Sequence, residues 1–155
     1  MNSGDSQTPF VLLAEDNADD QLLIRYAFKK AGMPNRYFIV TNGQEAIDWL
    51  SKVIVPENTA THPFPGLIVL DMRMPRMGGL EVLEWIRDRP QFREIPVVMM
   101  SNVSDPKSIG RALNLGARNY FLKPGDFGLL FDFITELNAL EAMKARAHQL
   151  LPRSP

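Results

Sequence analysis

Apolar positions along this chain follow two patterns. Short unbroken runs at Phe10–Ala14 (FVLLA), Tyr37–Val40 (YFIV), Leu67–Met72 (LIVLDM), Val97–Met100 (VVMM) and Tyr120–Leu122 (YFL) predict strands buried on both faces. Between them apolar residues recur at helical spacing. Ile24, Ala27, Phe28 and Ala31 stand at i, i+3, i+4 and i+7, and Gly32 and Pro34 follow as stop signals. Asn42 is placed to cap a second helix carrying Ala46, Ile47 and Leu50. A third follows Gly78 and Gly79 with Leu80, Leu83 and Ile86, and ends before Pro90. Ser104 or Asp105 caps a fourth, which opens on Pro106 and closes at Gly116. A long fifth helix is predicted from Phe127 to about Leu151, with Leu130, Ile134, Leu137 and Met143 on one side.

Strands and helices alternating in units of roughly 25 residues predict an α/β fold, a doubly wound parallel sheet of five strands with five helices covering both faces. The 155 residues suit one domain at 10–151, with a disordered tail at 1–9 and a short tail at 152–155. The loop at 51–66, with Pro56, Pro63 and Pro65, is long against a typical connection of about 4–6 residues, and reads either as a partner contact or as a passive surface loop. At the end of the fifth helix, Leu140, Met143, Leu150 and Leu151 run past the sheet, which suits either a homodimer seam or a frayed tail.

Composition narrows the function. With 45% hydrophobic residues the chain can build a core without a covalent staple. The absence of cysteine excludes disulfide scaffolds, thiol catalysis and cysteine-ligated metals, and His62 and His148 alone give little material for a histidine metal site. Seventeen basic against 18 acidic side chains, with no basic run, predict no nucleic-acid partner. No apolar stretch approaches the roughly 18 residues of a membrane span, and Met1–Pro9 has no signal-peptide pattern, so a soluble cytoplasmic protein without a membrane partner is expected. The methionines Met72, Met74, Met77, Met99 and Met100, with Trp49 and Trp85, read as packing residues.

Doubly wound sheets bind ligands at the carboxyl ends of their strands. There the sequence places Glu15, Asp16 and Asn17 after the first strand, Asp71 after the third, Ser101 after the fourth, and Lys123 with Pro124 after the fifth. Any one of these, taken alone, is an ordinary turn or surface residue. Together they put carboxylates at one edge, where two unpaired charges ~4 Å apart repel by roughly 4 kcal/mol at an effective dielectric of 20. Such a cluster favours a hard divalent cation such as Mg2+, and Lys123 and Ser101 then offer the ammonium and hydroxyl that a phosphoryl group needs.

The stretches LLAEDNADD, IVLDMRMPRMGGLEVLEWIR, IPVVMMSN and GARNYFLKP resemble the receiver domain of two-component response regulators, from about Phe10 to about Leu140. The long loop and the lack of an attached output domain resemble the single-domain regulators that work with phytochrome-type sensor kinases. The resemblance implies a flavodoxin-like receiver fold and Asp71 as phosphoacceptor. It implies Mg2+ held by Glu15, Asp16, Asp71 and the main-chain carbonyl of Arg73. Ser101 and Lys123 would bind the phosphoryl group, Ser101 and Tyr120 would form the switch, and the Lys123–Pro124 bond resembles one that is cis in the family. The implied partners are a histidine kinase or a histidine phosphotransfer protein, and a downstream protein target. Such a chain is a phosphoacceptor with slow self-hydrolysis, not an enzyme that turns over a substrate.

Two positions depart from the commonest pattern. Asn102 stands where the family usually keeps a very small residue, and Arg73 places a flexible cation near the site, so both are expected to tune phosphoryl lifetime. Two rival readings are a receiver-like interaction module that is not phosphorylated and an Mg2+-dependent aspartyl phosphohydrolase. The hydrolase pattern places a second acid two residues after the nucleophile, where this chain has Arg73.

Overall fold

The computed structural model describes residues 10–33, 36–58, 60–102, 104–123, 125–136 and 139. In chain order the elements are β1 (Val11–Ala14), α1 (Ala18–Lys30), β2 (Tyr37–Val40), α2 (Gly43–Val53), a 3-10 turn (Pro56–Asn58), β3 (Leu67–Asp71), α3 (Gly79–Arg87), a second 3-10 turn (Pro90–Phe92), β4 (Val97–Ser101), α4 (Pro106–Asn114) and β5 (Asn119–Leu122). Residues 127–136 form a further helix, α5. The sequence-based expectations for residues 1–9, for Pro34, Pro124 and Leu137, and for the chain from 140 onward lie outside the described residues.

All five strands are parallel, in the order β2-β1-β3-β4-β5. Alternate residues of β1 divide the core between the two faces, as a period of two requires. Leu12 and Ala14 face one layer with Leu50, Val82, Leu83 and Ile86 of α2 and α3, together with Ala112 of α4. Val11 and Leu13 face the other with Ile24 and Phe28 of α1 and with Leu130 and Ile134 of α5. Burial on both faces holds for β1, β3 and β4. It fails for β2 and β5, which close the sheet's two edges and are only half covered; Phe38 is 47% exposed.

Local chemistry explains where the helices start. Asn17 caps α1, its Oδ1 accepting from the Asp20 N–H at 2.9 Å. Asn42 caps α2, its Oδ1 accepting from the Glu45 N–H at 2.8 Å, and Glu45 Oε2 reaches back past the cap to accept from the Thr41 N–H at 3.0 Å. Of the two candidates for α4 it is Asp105 that caps, accepting from the Lys107 N–H. The C-terminal end of α4 is closed from outside: the Arg87 guanidinium donates to the carbonyls of Leu115, Gly116 and Arg93. Gly116 itself takes φ +98°, and a Cβ there would meet Arg87 Nε at 2.8 Å.

Between α2 and β3 the segment is less free than its length suggests. Its first three residues, Ser51 to Val53, complete α2, and Pro56–Asn58 adds a turn. Further on, the His62 ring lies 5.3 Å from Trp49, Phe64 lies 5.9 Å from Phe92, and the Gly66 N–H donates to the Phe10 carbonyl. The methionines and both tryptophans are packing residues. Met99 and Met100 are buried, Met72, Met74 and Met77 rest on the core, Trp49 stacks on Phe10, and Trp85 stacks on Phe92 under Arg89.

Candidate functional site

The strand order reverses at β1, which has β2 on one side and β3 on the other, so the crevice opens at the carboxyl ends of β1 and β3. The register Ala14↔Leu70 sets Glu15, just past β1, beside Asp71, the last residue of β3. The Lys123 N–H donates to the Ser101 carbonyl at 2.9 Å and extends the β4–β5 ladder by one residue. Thus the sheet alone brings Glu15, Asp71, Ser101 and Lys123 to one edge.

Lys123 is the centre of the site. Its Nζ donates to Glu15 Oε1, to Asp20 Oδ2 at 2.9 Å and to Asp71 Oδ2 at 3.2 Å. Its side chain is 4% exposed, against 1% for Glu15, 10% for Asp71 and 20% for Asp20. Burial by itself would lower the Lys123 pKa. The hydrogen bonds to Glu15 and Asp20 and the charges of Asp71 and Glu15 more than offset it, so the ammonium stays protonated well beyond neutral pH. The Glu15 pKa is raised as well, here with burial as the leading cause. Burial, a hydrogen bond with Asp71 and the Asp71 charge push its carboxyl up to about 7, against the lowering influence of Lys123.

The Asp71 carboxylate is oriented by both its oxygens. Asp71 Oδ1 accepts weakly from the Arg73 N–H at 3.4 Å, while Oδ2 accepts from Lys123. Glu15 is held similarly, with Oε2 accepting from the Asn17 N–H and its carbonyl accepting from Gln21 Nε2 at 2.7 Å. Close packing of α3 supports this geometry, because a Cβ on Gly79 would come within 2.3 Å of the Asp71 carbonyl oxygen. The turn between them includes Arg76 at φ 69°, a left-handed conformation uncommon for a residue with a side chain.

A cavity of about 400 Å3 opens over these groups, lined by Asp16, Asp20, Asp71, Ser101 and Lys123 together with Arg73 and Asn102. Ser101 is buried at the end of β4. Tyr120 rests on the core layer that also holds Ala112 of α4. Glu15, Asp16 and Asp71 each offer a carboxylate oxygen, and these atoms lie within 4.8 Å of one another. A donor set made only of carboxylate oxygens fits a hard divalent cation.

One member of the site escaped the sequence reading. Asp20 was legible only as the end of LLAEDNADD, yet it stands in the first turn of α1, three residues after the N-cap Asn17, and a cap that starts α1 directly after the β1 loop is the signal that places it over the same edge.

The chain matches the family model of the response regulator receiver domain over residues 11–135, and it belongs to that family. It is 31% identical over 131 residues to the probable methanogenesis regulatory protein FilR2 of Methanothrix harundinacea, covering 82% of each chain. Among solved structures it is similar to the phosphorylated cyanobacterial phytochrome response regulator RcpA, with a TM-score of 0.71 and 28% identity over 86% of this chain and 93% of that one. The Mn2+-bound form of response regulator Rcp1 gives a TM-score of 0.70 and 27% identity over 84% and 92%. Among the described residues no helix is long and apolar enough to cross a membrane.

Proposed function

We propose that this receiver accepts a phosphoryl group on Asp71 from a phosphohistidine of a sensor histidine kinase or phosphotransfer protein, and that the modification switches a protein-binding face. The observation that supports it is the Lys123 ammonium 3.2 Å from Asp71 Oδ2 beside an open cavity that Ser101 and Asp16 also line. An Asp71 oxygen attacks phosphorus in line, the new P–O bond forms as the P–N bond to the donor imidazole breaks, and the product is an acyl phosphate. Lys123 offsets charge on the transferring oxygens, and the fixed carboxylate supplies orientation. Mg2+, when held by Glu15, Asp16, Asp71 and the Arg73 carbonyl, adds positive charge against the same oxygens.

The product adds roughly 1.5 to 2 negative charges to an acidic corner, a local change large enough to move neighbouring side chains. Ser101 turns to donate to a phosphoryl oxygen and Tyr120 follows into the space beside α4, so that a partner reads the state on α4, β5 and α5. A phytochrome-type kinase is the proposed donor class, on the strength of the similarity to RcpA.

Incubation of the full chain with Mg2+ and a small acyl phosphate, followed by intact mass, tests this reading. The expected result is one added phosphoryl group that is absent from Asp71→Asn. Sustained release of phosphate over many turnovers would point to a hydrolase instead, and no modification at all to a silent interaction module.

A further inference from the structure

We propose that Asp20 is a positioning residue for this chemistry: it keeps the Lys123 ammonium at the site while Glu15 and Asp71, the other two carboxylates that share it, turn to the cation and the phosphoryl group. The inference rests on the phosphoacceptor reading of Asp71 and assigns a role to a side chain that this reading leaves unused.

An ammonium has three N–H donors, and Lys123 spends them on three acceptors, Glu15 Oε1, Asp20 Oδ2 and Asp71 Oδ2. With 4% of its side chain exposed, it has little water to fall back on. Any acceptor withdrawn must be replaced, or a buried charge loses a partner. Two of the three are not free to stay. Glu15 and Asp71 belong to the oxygen cluster that suits a divalent cation, and Asp71 is also the atom source for the new P–O bond. Asp20 lies outside that cluster, so its hold on Lys123 does not compete with either event.

The backbone makes Asp20 a fixed anchor. Its N–H is capped by Asn17 Oδ1 at 2.9 Å, and it sits in the first turn of α1, where the helix dipole favours a negative charge. The next residue, Gln21, donates to the Glu15 carbonyl, so the same turn also fixes the loop that follows β1. A carboxylate placed by a helix terminus keeps its position when its neighbours change charge or ligand. Its 20% exposure, toward the cavity, leaves room for the lysine to pivot on it toward a phosphoryl oxygen.

The test compares the full chain with Asp20→Ala, which removes the acceptor, and Asp20→Asn, which keeps an oxygen acceptor without the charge. Phosphorylation by a small acyl phosphate at saturating Mg2+ is expected to slow on the order of tenfold in Asp20→Ala and to recover to within about threefold of wild type in Asp20→Asn, as for a misplaced but present group. The second readout is independent of phosphorylation: hydrogen exchange of the Lys123 Nζ protons, followed by 15N NMR in Mg2+. It is expected to be protected in wild type and fast in Asp20→Ala. An unchanged rate overturns the proposal, as does a faster one, the sign produced if Asp20 merely competes with the phosphoryl group for the ammonium. Slow phosphorylation with Lys123 still protected also overturns it. A wild-type chain that takes up no phosphoryl group refutes the phosphoacceptor reading and the positioning role with it, while the NMR arm still shows whether Asp20 anchors Lys123.

Discussion

Lys123 Nζ lies 3.2 Å from Asp71 Oδ2 across 52 positions of sequence, reaching over the end of β4 from β5 to β3. The pair is one arm of a buried three-carboxylate arrangement, and removing its cation strands the acids. Lys123→Met is therefore expected to lower stability by about 3 kcal/mol in metal-free buffer, the size found when one partner of a buried ion pair is lost. Mg2+ should recover part of that loss by giving the carboxylates another cation. Urea denaturation in EDTA and in Mg2+ measures both, and a variant as stable as wild type in EDTA would contradict the prediction.

Glu15 gives the site a pH dependence of definite sign. Its folded pKa of about 7 stands above the ordinary 4.5, so the folded chain binds more protons than the unfolded chain between those values. The stabilising contribution of that proton is full below the ordinary pKa and is lost as pH rises through about 7. Because a cation must displace the same proton, Mg2+ affinity should rise with pH up to about 7 and level off above it. Denaturation in EDTA and Mg2+ titration, each across roughly pH 4 to 8, a window that brackets the shift, should show opposite slopes. Glu15→Gln should flatten both.

Two glycines should respond to alanine with opposite signs. At Gly79 the added Cβ meets the Asp71 carbonyl oxygen at 2.3 Å, so α3 must move off the end of β3. A loss of about 1–3 kcal/mol is expected, with weaker Mg2+ binding because Asp71 shifts. At Gly110, inside α4, a Cβ has nothing within 4 Å, and the gain in helix propensity should stabilise by about 0.5–1 kcal/mol. Thermal denaturation of the two variants checks the pair.

Asn102 and Arg73 both line the cavity and are exposed, with no part in holding Lys123. Asn102→Ala and Arg73→Ala are expected to change the lifetime of the phosphoryl group while leaving stability within about 0.5 kcal/mol of wild type. Decay of phosphorylated protein, followed by intact mass, measures the lifetime; equal half-lives would remove the tuning role.

Much of this architecture is legible in the sequence because its signals are local. The spacing of Ile24, Ala27 and Phe28, the caps Asn42 and Asp105, and the unbroken runs of β1, β3 and β4 all act within a few residues of one another. The expectation that all five strands are covered failed at β2 and β5, since an apolar run does not state its place in the sheet order. How the 51–66 segment is tied down was likewise not legible, since it depends on contacts, His62 on Trp49 and Phe64 on Phe92, between residues far apart in the chain.

For the site, the sequence by itself determined which groups stand at the strand ends, because a strand's last residue is set by its own apolar run and the turn after it. Only the tertiary structure decided how those groups are shared. That Lys123 divides its three protons among Glu15, Asp20 and Asp71 depends on β5 lying one strand away from β3 and on the first turn of α1 leaning over the same edge. Those placements come from long-range packing of both core layers, and a hydrogen bond of about 3 Å is too short-ranged to be read from any pattern that stays within one element.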